Sequence, residues 1–130
     1  MTRLCLDTSA YSKFQSGHPQ VVDHVDVAEW IAIPSVVIGE LWAGFLMGTR
    51  HAENIQKLDE FLDHAVVEVV SIDEQVAHIY GEMVLELRRK GRPLPANDIW
   101  IAATAARTGG TILTFDAHFR EIDRIGTLVL

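Results

Sequence analysis

Arg3-Leu4-Cys5-Leu6-Asp7-Thr8-Ser9 decides the fold class. A short apolar run reads as a buried strand, and Asp, Thr and Ser directly after it are the residues that start helices. Strand followed at once by helix is the unit of a parallel α/β sheet. The pattern repeats along the chain. A short helix spans about Ala10–Gln15 and stops at Ser16-Gly17; Pro19 then suits the first turn of a second helix, with Val21, Val22 and Val25 on its apolar face. Trp30–Ile33 reads as the second strand, and Ser35 as the cap of a long apolar helix, about Val36–Met47. Ala52–His64 carries Ile55, Leu58, Phe61 and Leu62 at helical spacing. Val66–Ser71 is the third strand, and Glu74–Lys90 a long helix ended by Gly91. Pro93 and Pro95 mark a loop before a helix over Asp98–Arg107, which Gly109-Gly110 stops. Thr111–Phe115 is the fourth strand and Thr127–Leu130 a fifth. The expectation is a single α/β domain over residues 1–130, with a central, mainly parallel sheet of four to five strands flanked by helices.

The chain has 130 residues, of which 48% are hydrophobic and 22% charged, so it carries a core and is not disordered. Its 18 Asp+Glu against 11 Lys+Arg give a formal net charge of −7. That excludes the basic footprint of a simple DNA-binding module. It leaves room for a nucleic-acid enzyme, because bound cations reverse the sign of a local site. A lone cysteine, Cys5, lies inside the first strand and fits a reducing compartment. Asp7 cuts off the N-terminal apolar run too early for a secretory signal. Pro34 and Glu40 interrupt the longest apolar regions, short of the roughly 20 residues of a membrane span. A cytoplasmic protein is expected, with no membrane partner.

In parallel sheets ligands bind beyond the carboxyl ends of the strands. Two acids, Asp7 and Asp116, stand there. Two more interrupt apolar helices: Glu40 is the only charge between Val36 and Met47, and Asp98 the only one between Pro93 and Arg107. A buried unpaired carboxylate costs several kcal/mol unless it meets a cation. Helix capping accounts for Asp7 and Asp116, and a first-turn position for Asp98, at about 1 kcal/mol each. It does not account for Glu40. One divalent-metal pocket accounts for all four. The histidines lack metal-ligand spacing, and His118 reads as a partly exposed loop residue.

Leu6-Asp7-Thr8-Ser9, Ile38-Gly39-Glu40-Leu41 with Gly44, Asp98-Ile99-Trp100-Ile101-Ala102-Ala103 and Leu113-Thr114-Phe115-Asp116 resemble a PIN-domain ribonuclease, with the VapC-type toxins the nearest likeness. The four motifs come in the family's order and span nearly the whole chain. The resemblance implies a PIN-like three-layer fold and a Mg²⁺- or Mn²⁺-dependent endoribonuclease. Such an enzyme hydrolyses RNA phosphodiester bonds with a metal-activated water. It implies catalytic and metal-ligating roles for Asp7, Glu40, Asp98 and Asp116. Supporting hydroxyls map to Ser9 (or Thr8) and to Thr114. Many relatives carry Asn where this chain has Asp116. A homodimer and a small antitoxin partner are also implied.

Arg88-Arg89-Lys90 with Arg92 is the one basic cluster, readable as complement to a helix dipole or as a landing strip for RNA phosphates. The helix with Trp42, Phe45, Leu46 and Met47 is expected to bury this apolar set in the core; exposed, it would mark a protein interface. Two other PIN readings stay open: a nuclease of RNA processing without an antitoxin, and a non-catalytic interaction scaffold. An aspartyl-nucleophile phosphatase is disfavoured, because Leu6-Asp7-Thr8-Ser9 lacks a second Asp two positions on.

Overall fold

A computed structural model describes residues 2–130. Five strands form one sheet: β1 Arg3–Leu6, β2 Trp30–Pro34, β3 Val67–Val70, β4 Thr111–Thr114 and β5 Thr127–Val129. Their order is β3-β2-β1-β4-β5, and every pairing is parallel. Six helices connect them: α1 Thr8–Gln15, α2 Pro19–Val27, α3 Ser35–Met47, α4 His51–Leu62, α5 Glu74–Lys90 and α6 Ala96–Thr108. A short 3₁₀ turn, Ala117–Glu121, leads into β5.

From β1 the chain steps outward through β2 to β3, then returns to the other side of β1 for β4 and β5. Right-handed crossovers place α1–α4 on one face and α5–α6 on the other. Accordingly α1 packs on α2 and α3, α3 on α4, and α5 on α6. Tyr80 and Trp100 stack between α5 and α6 with centroids 3.7 Å apart. The core lies between sheet and helices, around Leu6, Ile31, Ile33, Ile112 and Leu113 with Tyr11, Met83, Ile101 and Phe119. Reversal of strand order between β1 and β4 opens a crevice at their carboxyl ends, the place where such sheets bind ligands.

Helix ends follow local chemistry. Asp73 caps α5 by accepting from the Val76 N–H at 2.8 Å, and Gly91 closes it in the left-handed conformation at φ 68°. Gly109, at φ 75°, ends α6 in the same way. Several boundaries depart from the sequence expectation by a residue or two, and three of them bear on the site. α1 begins at Thr8 instead of Ala10, because Asp7 alone serves as its cap. Ser35 is the first helical residue of α3 and caps nothing; Pro34 holds the cap position without a side-chain bond. α6 begins at Ala96, which puts Asp98 in its first turn.

Burial of α3 also departs from expectation. Only Val37 and Leu41 are buried, while Phe45 packs partly against the core. Trp42, Leu46 and Met47 are 39%, 60% and 84% exposed. A helix apolar all round has more apolar surface than one sheet face covers, so one side is left open. Among the described residues no helix is long and apolar enough to cross a membrane.

Candidate active site

The crevice at the carboxyl ends of β1 and β4 holds a cleft of about 300 Å³. Asp7, Thr8, Ser9, Glu40, Asp98, Ile101, Phe115 and Asp116 line it. All four acids singled out from sequence therefore meet, although the first and last stand 109 positions apart. Each arrives on a different element. Asp7 follows β1, Glu40 projects from the second turn of α3, Asp98 from the first turn of α6, and Asp116 from the turn after β4.

Asp7 is 5% exposed and is held from three sides. Its Oδ1 accepts from the Ala10 backbone N–H and from Ser9 Oγ, each at 2.8 Å. Its Oδ2 accepts from Thr114 Oγ1 at 2.5 Å. Thr114 Oγ1 in turn accepts from the Asp116 N–H at 2.9 Å, and Ser9 Oγ from the Phe115 N–H at 3.3 Å. Ser9 and Thr114 thus stitch the start of α1 to the end of β4 and fix the carboxylate between them. Thr8, the residue between, donates to Glu40 Oε1 at 2.8 Å. The two hydroxyls after Asp7 serve two different acids. Asp116 caps its 3₁₀ turn through the His118 N–H at 2.9 Å, and His118 Nδ1 lies 3.1 Å from the same oxygen.

Electrostatics tie the acids together. Burial, then the charges of Asp116, Glu40 and Asp7, push the Asp98 carboxyl up to about 6, with His118 opposing. Burial also raises the Asp7 carboxyl, which its bonds from Thr114, Ala10 and Ser9 partly offset. Among the described residues no ion pair brings a lysine or arginine onto any of the four acids. The donor set is entirely oxygen, which suits a hard divalent cation such as Mg²⁺ or Mn²⁺. No three Asp, Glu, His or Cys side chains among the described residues already converge into a finished metal cage. A wide carboxylate cleft of this kind fits Mg²⁺, which keeps several waters and needs few protein ligands.

The basic cluster lies elsewhere. Arg88, Arg89, Lys90 and Arg92 are exposed at the end of α5 and line no part of the acidic cleft. Lys90 is held locally, donating to the Glu121 carbonyl at 2.6 Å and pairing with Asp123 at 3.1 Å. Sequence reasoning left three features of the site unassigned. Thr8 on Glu40 and His118 on Asp116 were signalled only by adjacency to the motifs. Phe115 as a cleft wall follows from its place between Thr114 and Asp116.

Residues 4–125 match the family model described as PIN domain. The chain is 34% identical over 100 residues to Ribonuclease VapC2 of Rickettsia felis, covering 77% of this chain and 72% of that protein. It is 29% identical over 118 residues to Ribonuclease VapC5 of Mycobacterium tuberculosis, covering 91% and 86%. Its fold superposes on VapBC2 from Rickettsia felis bound to a DNA fragment from the promoter, with TM-score 0.87, 26% identity and 98% of each chain covered.

Proposed function

This chain belongs to the PIN-domain family, and from that premise we infer a ribonuclease, the toxin of a type II toxin–antitoxin pair. Its substrate is RNA and its partner a small antitoxin protein. Its place of action is the cytoplasm. The observation that carries the catalytic reading is the convergence of Asp7, Glu40, Asp98 and Asp116 in one cleft, with no lysine or arginine paired to them among the described residues.

In this reading Asp7, Glu40, Asp98 and Asp116 are the residues that would hold Mg²⁺ or Mn²⁺. When bound there, such a cation would supply positive charge to acidify water and to offset charge building on the phosphate. The protein's own contribution is placement. Ser9 and Thr114 lock the Asp7 carboxylate in one orientation, so both its oxygens keep fixed directions. Thr8 does the same for Glu40. Asp98, raised to about 6, is readily ionised near neutral pH once a cation offsets its acidic neighbours. His118 steadies Asp116 from outside.

The open side of α3, with Trp42, Leu46 and Met47, is assigned to protein contact, in a homodimer and against the antitoxin. Arg88, Arg89 and Arg92 are assigned to RNA phosphates. They stand at the α5 end of the short turn that leads to α6 and Asp98. Lys90 is left out of that set because Asp123 and Glu121 hold it.

The test is RNA cleavage by partner-free protein in Mg²⁺ or Mn²⁺, beside EDTA and an Asp7→Asn control. Cutting that needs the ion and disappears in the folded variant is expected. Cutting that survives EDTA, or survives in Asp7→Asn, refutes the assignment.

A further inference from the structure

The cleft has one aromatic wall, Phe115. Lys13 lies in the last turn of α1, four residues after Ser9. Residues four apart share a helix face, so Lys13 stands one turn along α1 from Ser9, just outside the residues that line the cleft. Its ammonium lies over the Phe115 ring, 5.9 Å from the centroid, within reach of the ring's negative face. Phe115 is itself fixed. Its backbone N–H donates to Ser9 Oγ, and the His18 ring meets it edge-on at 5.2 Å. Lys13 is exposed and belongs to none of the ion pairs among the described residues.

A lysine in the last turn of a helix complements the helix dipole. That explains a positive charge at this position. It does not explain an ammonium laid over the wall of an acidic cleft. An RNA strand entering that cleft brings phosphates toward four carboxylates, and the phosphates beside the scissile one need a cation that the acids do not supply. Lysine offers a compact point charge on a flexible stem, suited to backbone phosphate without regard to sequence.

We propose that Lys13, positioned by the Phe115 ring, binds a phosphate of the RNA strand at the mouth of the acidic cleft, next to the one that is cut. The proposal rests on the ribonuclease reading and names a substrate contact for it. Lys13 is a binding residue; Phe115 is a positioning residue that acts through it.

The experiment is steady-state cleavage of a fluorescein-labelled, unstructured RNA of mixed sequence by the full, partner-free chain in Mg²⁺ or Mn²⁺. KM is followed against salt for wild type, Lys13→Ala, Lys13→Arg, Phe115→Leu and the Lys13→Ala/Phe115→Leu pair. Removing one phosphate contact to a single strand lowers the slope of log KM on log salt by about 0.7, and KM at low salt rises about fivefold. kcat changes little, since a flanking phosphate contact is the same in ground and transition state. Lys13→Arg keeps the wild-type slope. Phe115→Leu raises KM, but adds little on top of Lys13→Ala, because both changes break one contact. Thermal melts matching wild type exclude a folding defect. A wild-type slope and KM in Lys13→Ala overturn the proposal and leave the ribonuclease standing, as do fully additive effects for the positioning role of Phe115. A wild-type chain that cuts no RNA overturns both.

Discussion

Asp98→Asn is expected to stabilise the ion-free protein at neutral pH while abolishing cleavage. Burial, Asp116, Glu40 and Asp7 together push the Asp98 carboxyl from 3.8 to about 6. At about 1.36 kcal/mol per tenfold change in proton affinity, that displacement corresponds to about 3 kcal/mol. The side chain is only half-buried, and screening by solvent reduces the realisable effect to about 1–1.5 kcal/mol. The sign follows from linkage. The folded state holds this proton more tightly than the unfolded chain, so stability falls as pH rises from 3.8 to about 6. Above that window the full cost applies; below it the cost is absent. Asparagine keeps the shape and removes the charge. In EDTA at about pH 7.5 the variant therefore melts roughly 3–6 °C above wild type, and near pH 4 the difference shrinks toward zero. Added Mg²⁺ or Mn²⁺ raises the wild-type melting temperature more than the variant's, since a cation binds the ionised carboxylate. Thermal melts across pH, with and without EDTA, read all of this. A variant less stable than wild type near pH 7.5 would refute the reasoning, and so would an equal gain near pH 4.

Three more outcomes follow from the same geometry. Thr114→Val keeps side-chain volume but removes the donor to Asp7 and the acceptor for the Asp116 N–H; it costs about 1–3 kcal/mol in a denaturant titration and lowers cleavage at least about tenfold. Charge reversal at Arg88, Arg89 and Arg92 weakens RNA binding and flattens its salt dependence, whereas Lys90→Ala leaves RNA binding intact and costs under about 1 kcal/mol of stability by loosening Asp123 and the Glu121 carbonyl. Leu46→Asp with Met47→Asp converts a dimer to a monomer in light scattering without lowering the melting temperature; a wild-type chain that is monomeric at high concentration refutes the α3 assignment.

Elements were legible in the sequence where local chemistry closes them. α5 begins and ends where read, because Asp73 caps one end and Gly91 takes the left-handed conformation at the other. Ser35 misled, because a serine after a strand looks like a cap whether or not its hydroxyl reaches a backbone N–H. The exposure of α3 was not legible for a different reason. Periodicity reports which residues are apolar, and an all-apolar helix reads the same whether sheet, solvent or partner covers it. The acids stood out because each interrupts an apolar run or ends a strand. Thr8 on Glu40 and Lys13 over Phe115 did not, since those contacts span 32 and 102 positions and exist only after the sheet has formed.

Capping and catalysis, which compete as explanations in the sequence, coincide in the fold. Asp7 caps α1, Asp116 caps the turn after β4, and Asp98 sits in the first turn of α6. Three helical N-termini thus point at one cleft, and their partial positive charge offsets some of the repulsion among the carboxylates. Glu40 has no such support, being in the second turn of α3, and Thr8 donates to it instead. A helical N-terminus explains how Asp7, Asp98 and Asp116 are each tolerated singly, and the Thr8 hydroxyl does so for Glu40. It does not explain why all four face one another, since each pairing raises the cost of the next, as the displaced Asp98 carboxyl records. Acids that serve only as caps have no reason to share a cleft. Replacing any one of the other three by its amide should therefore ease the Asp98 carboxyl back toward its ordinary value. The size of that return is expected to follow the order in which Asp116, Glu40 and Asp7 act on it. NMR titration of the Asp98 carboxyl in Asp116→Asn and Glu40→Gln tests this, and a value unmoved by both would show acids that do not act on one another.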